Sequence, residues 1–302
     1  MPDIRPTVSI IIPTYNRKSF LKNAIDSVLA QSYEDFELII IDNYSTDGTE
    51  EMVQKYSDPR LRFVKLERTG SVAASRNLGV RLSRATWIAF LDSDDWWRIE
   101  KLKVVSDWFL PSIDLIYHPL EKVFQDASVT KAPKSKIVKL KKPLYMHLLL
   151  YGNEIGLSSV VIRKTILEEA GYMREEPRFW SIDDYDTWLR VSKITENFKL
   201  VPQALGFYRI HDSNISSDNS YEYVCKALAE HLLLLNSSQL KRFDSLYYYK
   251  TARSLYNEKN YKDSLPYLKF VLKHGRFEAV LKALYMISTF YLIHSWFSKF
   301  AR

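Results

Sequence analysis

Short apolar runs that alternate with amphipathic segments are the feature of this sequence that most restricts its fold. Val8–Ile12 is a nearly continuous apolar run, as in a strand buried on both faces. Phe36–Ile41 and Leu61–Val64 are predicted as the second and third strands. Between the first two runs, apolar residues recur at helical spacing from Phe20 to Leu29. The alternation predicts an α/β fold, a Rossmann-like, mostly parallel sheet with helices on both faces.

Three carboxylates follow a fourth apolar run, Thr86–Leu91, within four positions: Asp92, Asp94 and Asp95. Their mutual repulsion is costly unless a positive charge lies among them. Hard oxygen ligands of this kind suit Mg²⁺ or Mn²⁺. A solvated acidic turn that caps the next helix would give the same pattern, so the cluster by itself leaves both interpretations open.

Polar residues stand where the predicted strands end, and ligands of such sheets bind beyond the carboxyl ends of the strands. Thr14 follows the first run, Asp42 and Asn43 follow the second, and the acidic cluster follows the fourth. The chain has only eight glycines and contains neither G-x-G-x-x-G nor a P-loop. A nucleotide bound here would therefore depend on a metal for much of its phosphate binding.

The charge of the chain is unevenly distributed. The net charge is +7, but residues 226–302 hold 13 Lys or Arg against 5 Asp or Glu, which leaves the first 225 residues at −1. We therefore expect no nucleic-acid partner at the acidic cluster, and an anionic surface as partner of the basic end. The single Cys225 and the lack of a visible signal peptide favour a cytoplasmic location.

Four segments, taken in order, resemble a known family. They are Ser9–Asn16 (SIIIPTYN), Ile41–Thr49 (IDNYSTDGT), Ala74–Gly79 (ASRNLG) and Phe90–Trp96 (FLDSDDW). Together they resemble the inverting family 2 glycosyltransferases of bacterial surface-polysaccharide synthesis, which have the GT-A fold. The resemblance implies a nucleotide-diphospho-sugar transferase fold over residues 1–216. It also implies a nucleotide-sugar donor, Mn²⁺ or Mg²⁺ as cofactor, and inversion at the anomeric carbon.

The same resemblance assigns nucleotide-sugar binding to Pro13, Thr14, Tyr15, Asn16, Asp42, Asn43, Arg76, Asp92, Ser93 and Asp94. Thr14 and Tyr15 would lie near the base and ribose. Asp42 and Asn43 stand where the family keeps an Asp pair that recognises the base. Because the Asn43 amide offers donors as well as an acceptor, it does not by itself specify uracil. Arg76 would pair with the diphosphate or with the acidic cluster.

A second pair of acids, Asp183 and Asp184, precedes an amphipathic segment, where acids also favour the first turn of a helix. The pair resembles the family's Glu-Asp motif, with Asp183 in place of the Glu. The resemblance makes Asp184 the catalytic base, which takes a proton from the acceptor hydroxyl. It also suggests that Asp183, Asp95 and Trp180 bind the acceptor, although Trp180 as a core aromatic is the alternative.

Gly206–Ser216 resembles the family's Tyr-Arg-x-His segment, a loop that folds over the donor phosphates. By this resemblance His211 is expected to ligate the metal together with Asp92 and Asp94, and donation to a donor phosphate is the alternative.

Residues 217–302 are expected to form a separate helical region. The stretch Ala283–Ser298 carries no formal charge if its histidine is neutral, yet it is shorter than the roughly 20 residues that span a bilayer. Its aromatic residues and basic flanks favour a helix lying in the membrane interface. Packing against the catalytic domain or in a dimer is the alternative. The first interpretation predicts a peripheral protein at the inner face of the cell membrane.

These observations predict a metal-dependent glycosyltransferase that moves a hexosyl or N-acetylhexosaminyl group from a nucleotide sugar. UDP is the favoured nucleotide, and the acceptor would be a hydroxyl of a saccharide or of a lipid-linked sugar. Two alternatives remain at this point. One is a nucleotidyltransferase that makes the nucleotide sugar, and the other is a non-catalytic scaffold subunit that binds sugar or nucleotide.

Overall fold

The computed structural model describes residues 5–67, 70–124, 137–211 and 220–300, with side chains up to residue 291. The chain divides into two compact units. The first comprises Met1–Tyr145 with Asn153–Ser217, and the second comprises Met146–Gly152 with Asp218–Arg302. Residues 212–216 of the predicted phosphate loop lie outside the described residues.

The strands of the first unit build two sheets. They are β1 (Val8–Thr14), β2 (Phe36–Asp42), β3 (Leu61–Lys65), β4 (Trp87–Phe90), β5 (Trp96–Trp97), β6 (Leu115–Tyr117), β7 (Leu120–Phe124), β8 (Val161–Arg163), β9 (Phe198–Leu200) and β10 (Gly206–Ile210). Within the described ranges, one sheet has the order β3-β2-β1-β4-β8-β6-β9 and the other the order β5-β10-β7. The first sheet is parallel from β3 to β4, whereas β8 is antiparallel to β4 and β6. The predicted α/β fold with a mostly parallel sheet is confirmed.

Helices cover both faces of this sheet. Those of the first unit are α1 (Lys18–Leu29), α2 (Thr49–Val53), α3 (Val72–Leu82), α4 (Lys101–Ser106), α6 (Lys164–Glu169) and α7 (Asp183–Ile194), while α5 (Leu144–Tyr151) crosses into the second unit. Ile10 and Ile12 share one core cluster with the apolar stripe of α1. Ile11 points to the other face, where Gly79 of α3 lies so close that a Cβ would be 2.5 Å from Ile11 Cγ2.

One predicted strand is shorter than expected. The apolar pattern predicts a strand over Ser158–Arg163, but Leu157–Ser159 forms a turn of 3₁₀ helix and only Val161–Arg163 is β8. The reason is local, since Ser159 Oγ donates to Gly156 O at 2.6 Å and Val160 N donates to Leu157 O at 3.0 Å. These bonds close a turn immediately before the strand.

The second unit is helical in its described part. Its helices after α5 are α8 (Tyr221–Ala227), α9 (Ala229–Leu232), α10 (Ser237–Asn257), α11 (Tyr261–His274) and α12 (Phe277–Phe300). Its core includes Ala252, Leu268 and Met286, one from each of the three long helices. The single helix predicted around Val224–Leu235 is two short helices, α8 and α9. Among the described residues, no helix combines the length and the hydropathy that crossing a membrane requires.

Candidate active site

The ends of β1 and β2 lie side by side and carry the first part of the candidate site. Thr14 is opposite Asp42 in the parallel register, and Asn43 N donates to Thr14 O at 2.8 Å. Beyond the strands, Thr46 N donates to the Asn16 side-chain oxygen at 2.8 Å. These bonds tie the two strand-end loops to each other.

The side chains of these loops differ in what they offer to a ligand. Asp42 is fully buried, and its carboxylate accepts hydrogen bonds from the Ser45 amide at 3.0 Å and from the Ser45 hydroxyl. Thr14 Oγ1 is buried and has no hydrogen-bond partner in the described part of the structure. Pro13 is buried and Tyr15 is exposed. The Asp42 carboxylate therefore shapes the loop that follows β2.

Asp94 and His211, both predicted as metal ligands, lie together. His211 Nε2 is 2.9 Å from Asp94 Oδ2. Arg17 NH1 is 3.1 Å from His211 Nε2 and 3.3 Å from Asp94 Oδ2. The His211 ring is stacked on Phe20 with centroids 5.0 Å apart. In this structure the 2.9 Å contact is a hydrogen bond, and Arg17 is the cation beside it. Adjacent ligands of an octahedral ion with bonds of about 2.1 Å are also about 3 Å apart, so the spacing of the two atoms is compatible with Mg²⁺ or Mn²⁺.

The other two carboxylates of the acidic loop, residues 92–95, have different surroundings. Asp95 is only 2% exposed, and it accepts a hydrogen bond from Arg209 N at 3.0 Å. Burial raises the pKa of both Asp92 and Asp95, and the charge of Asp94 adds to this effect. A bound cation would relieve that repulsion.

Asp92 stands apart from the Asp94–His211 pair. Among the described residues, no third acid or histidine of this region has a ligand atom within 4.8 Å of both. Ser93, between the two aspartates, is 9% exposed. The structure therefore brings two of the three predicted metal ligands together. The contact of Asp95 with an acceptor stays a prediction, and here its carboxylate holds the β10 backbone.

Arg76 joins the acidic loop to the second pair of acids. It lies near the start of α3 and is only 6% exposed. Its NH2 is 2.6 Å from Asp92 Oδ1, and its NH1 is 2.5 Å from Asp183 Oδ2 at the start of α7. Of the two partners predicted for Arg76, the structure has it on the acidic cluster. An acceptor contact of Asp183 also stays a prediction.

Asp184, the predicted catalytic base, is partly exposed. Its Oδ2 accepts a hydrogen bond from Asn153 Nδ2 at 2.9 Å, and its Oδ1 accepts one from Tyr185 N at 2.6 Å. Desolvation raises the pKa of Asp184 to about 7; the charge of Asp183 adds to this and Arg76 opposes it. A carboxylate that titrates near neutral pH is well matched to general-base chemistry.

Two further side chains of this region have clear surroundings. Asp186 is fully buried, with Arg190 Nε at 2.8 Å and Arg174 NH1 at 3.5 Å, so it cannot reach a substrate. Trp180 is 41% exposed, and its ring is not part of the core. The core alternative for Trp180 is therefore wrong, whereas stacking on an acceptor sugar stays a prediction.

The family of the chain follows from comparison with known proteins. Residues 9–163 match the family model described as glycosyl transferase family 2. The chain belongs to this family. It is 30% identical over 221 residues to a putative teichuronic acid biosynthesis glycosyltransferase, TuaG, of Bacillus subtilis, covering 72% of this chain and 84% of TuaG. It is 32% identical over 220 residues to a UDP-Glc:alpha-D-GlcNAc-diphosphoundecaprenol beta-1,3-glucosyltransferase, WfgD, of Escherichia coli, covering 71% and 81%.

A solved structure supports the fold of this glycosyltransferase. The chain resembles the crystal structure of S. aureus TarS (residues 1–349) in complex with UDP-GlcNAc. The TM-score is 0.62 and the sequence identity 19%, over 89% of this chain and 81% of TarS 1–349. The predicted GT-A fold is confirmed. The two alternatives, a nucleotidyltransferase and a non-catalytic scaffold, are set aside because the chain is a family 2 glycosyltransferase.

Some side chains that the sequence analysis did not select also lie in the candidate active site. Arg17 directly follows Thr-Tyr-Asn at the first strand end, so its position could have indicated it. Asn153 contacts the predicted base, and Ser158 Oγ accepts a hydrogen bond from Asp92 N at 3.1 Å. No local pattern reveals these two, since both reach the site only through the packing of distant parts of the chain.

Proposed function

We propose that this enzyme transfers a hexosyl or N-acetylhexosaminyl group from a UDP-sugar to a hydroxyl of a saccharide or lipid-linked acceptor, with inversion, in surface polysaccharide synthesis. The names of its relatives support this, one for teichuronic acid biosynthesis and the other for UDP-Glc and a diphosphoundecaprenol-linked sugar. We assign catalysis to residues 1–216, and a role in localisation to residues 217–302.

One observation carries the proposal: a single guanidinium connects the acidic loop to the acids at the start of α7. Arg76 contacts Asp92 and Asp183 at 2.6 and 2.5 Å, and Asp184 is the next residue. A donor diphosphate near the acidic loop would therefore lie close to a carboxylate whose pKa is about 7. An inverting transfer needs that combination, because one base acts on the acceptor while the diphosphate leaves.

In this mechanism the chain's own groups orient the acceptor and move one proton. Asp184 accepts the proton of the acceptor hydroxyl as its oxygen attacks the anomeric carbon from the side opposite the diphosphate. The bond from the anomeric carbon to the diphosphate oxygen breaks in the same step, which inverts the configuration. Asn153 and the Tyr185 amide hold the two carboxylate oxygens, and each oxygen keeps a lone pair for the hydroxyl.

The experiment that tests this role compares Asp184→Asn with the wild-type enzyme. We expect transfer from UDP-glucose or UDP-GlcNAc to a GlcNAc-diphospholipid to fall by about 10²–10⁴-fold, because the amide cannot accept the proton. The affinity for UDP, measured by titration calorimetry, should stay within about twofold, since the loss belongs to the chemical step.

The matched control is Asp107→Asn, which removes an exposed carboxylate at the end of α4 and should leave both quantities unchanged. Retention of near-full transfer by Asp184→Asn would show that the base is another group.

We further propose that Asp94 and His211 hold Mn²⁺ or Mg²⁺. When bound, the ion supplies positive charge that stabilises the departing diphosphate. Asp94→Asn should remove the metal-dependent part of UDP affinity, measured by calorimetry with Mn²⁺ and again with a chelator. Asp107→Asn is again the control. An equal metal-dependent gain in Asp94→Asn and wild type would exclude this pair as the metal site.

The outer face of α12 supports a location at the cytoplasmic face of the membrane. Five large apolar side chains on this helix are between 49% and 77% exposed: Phe277, Leu281, Leu284, Tyr285 and Tyr291. At 100° per residue they fall within an arc of about 120°, while Ala283 and Met286 on the other side are buried in the core of the unit. An apolar outer face in a region of net charge +8 suits an anionic lipid surface.

Leu281→Ser combined with Leu284→Ser tests this location. We expect binding to phosphatidylglycerol vesicles to weaken by about 10-fold or more, from the apolar area that two leucines would bury. The control is Ile99→Ser, an equally exposed aliphatic residue of the first unit. Equal vesicle binding of the double variant and the wild type would contradict the proposal.

A further inference from the structure

Ser158 lies opposite the first aspartate of the acidic loop because of the antiparallel pairing of β4 and β8. The register pairs Trp87 with Arg163 and Ala89 with Val161. Continuing it by three residues on each strand brings Asp92 opposite Ser158. The main-chain pairing ends before this point, and the Ser158 side chain takes over.

The Ser158 hydroxyl bonds to the main chain of the acidic loop. Asp92 N donates to Ser158 Oγ at 3.1 Å. Ser158 is 1% exposed, so water is not available to replace this bond.

The main chain of Ser158 is held as firmly as its side chain. Its carbonyl oxygen accepts from Trp97 Nε1 at 2.8 Å and from Lys101 Nζ at 3.3 Å. Lys101 is completely buried, and its ammonium lies 3.2 Å from the Trp97 ring centroid. Ser158 is therefore a rigid support for a loop that carries three like charges.

We propose that Ser158 is a positioning residue of the donor site, which holds the main chain at Asp92 so that Asp94 is presented to the metal and the donor diphosphate. Ser158 does not itself contact the donor, and it acts through the loop. The inference rests on the proposed metal role of Asp94. Removing a polar group that positions metal ligands typically lowers the metal affinity by about 10–100-fold.

The test compares Ser158→Ala with Ser159→Ala. Both residues lie in the same 3₁₀ helix and are buried, but within the described part of the chain the Ser159 hydroxyl bonds to Gly156 O of its own turn and not to the acidic loop. The measurements are UDP affinity with Mn²⁺ and with a chelator, and Mn²⁺ affinity by electron paramagnetic resonance. We expect Ser158→Ala to lose about 10-fold of the metal-dependent gain in UDP affinity and to keep the metal-free affinity. Ser159→Ala should keep both.

Ser158→Cys is the second variant, because a thiol fills the space but is a weak donor and acceptor. It should shift affinity in the same direction as Ser158→Ala, and it decides the matter if the alanine variant fails to fold. A wild-type metal-dependent gain in the folded Ser158 variants would overturn the positioning role, provided that Asp94→Asn abolishes that gain. If Asp94→Asn also keeps the gain, the proposed metal site itself is wrong.

Discussion

Replacing Arg76 by Ala is expected to be among the most destabilising single substitutions in the first unit. The guanidinium is only 6% exposed, and it is shared between Asp92 at 2.6 Å and Asp183 at 2.5 Å. Truncation leaves two carboxylates near each other without their cation. Water cannot replace the arginine at Asp183, whose side chain is nearly buried.

The magnitude follows from the burial of the two acids. Removing one partner of a buried ion pair typically costs about 3–5 kcal/mol. We assign this cost to the Asp183 contact and little more to Asp92, because the Asp92 side chain is 30% exposed and water can solvate it. At roughly 2–4 °C per kcal/mol for a unit of this size, the melting temperature should fall by about 10 °C.

Thermal unfolding followed by tryptophan fluorescence is the suitable assay. Six of the seven tryptophans precede residue 217, so the signal reports mainly on the first unit. Arg81→Ala is the control in the same helix: Arg81 is half exposed and lies 3.9 Å from Glu175, a kind of pair that contributes about 0–1 kcal/mol.

Adding Asp183→Asn to Arg76→Ala should restore part of the loss, because it removes one of the unpaired charges. A melting temperature of Arg76→Ala within about 2 °C of the wild type would refute this reasoning.

Three further predictions concern Asp184, Lys101 and Gly79. Because Asp184 must be deprotonated to act and its pKa is about 7, kcat/KM should rise with pH through about 7, whereas a limb near pH 4 would contradict the desolvation of this carboxyl. Burial lowers the pKa of Lys101, because it disfavours the charged form of this side chain in the folded protein. Lys101→Met should therefore stabilise the fold by about 1 kcal/mol or more, seen as a higher melting temperature in calorimetry, since the Ser158 carbonyl keeps the Trp97 indole as donor. A lower melting temperature would contradict this account. Gly79→Ala should cost about 1–3 kcal/mol in urea unfolding through overpacking, and the cost should shrink in an Ile11→Ala background, because the added Cβ would lie 2.5 Å from Ile11 Cγ2.

The parallel half of the sheet is predictable because three of its four strands satisfy the same local rule, and only β3 is partly exposed. β1, β2 and β4 are buried on both faces, so their apolar runs are continuous and stand out from the amphipathic helices. The polar residues that end them must then meet at one edge. This is why Thr14 and Asp42, 28 residues apart, are in register.

The other half of the fold depends on pairings that leave little local trace. β8 has three residues and β5 has two, which is too short for a periodic pattern. Their direction is set by the strand they meet, so neither the antiparallel β8 nor the second sheet follows from local sequence. Ser158 and Asn153 are inaccessible to sequence reasoning for the same reason.

Within the candidate site, residue types are predictable but partners are not. Carboxylates at 92, 94, 183 and 184 mark a place where positive charge is needed. The acidic cluster is one of the two partners predicted for Arg76, but the sequence does not indicate that Arg76 also pairs with Asp183. That choice depends on the reach of one side chain across three elements.

The pairing of β4 with β8 determines where the chain can gain or lose residues without disturbing the acidic loop. A single residue inserted between Ser158 and β8 would move Ser158 away from its place opposite Asp92 and offer a neighbouring side chain to the acidic loop. Residues 137–143, which precede α5, lie outside the paired residues of β4 and β8. Homologues that differ by insertions should therefore vary in length before α5 and keep a constant spacing between Ser158 and β8. A loop grafted into this protein should also be placed before α5.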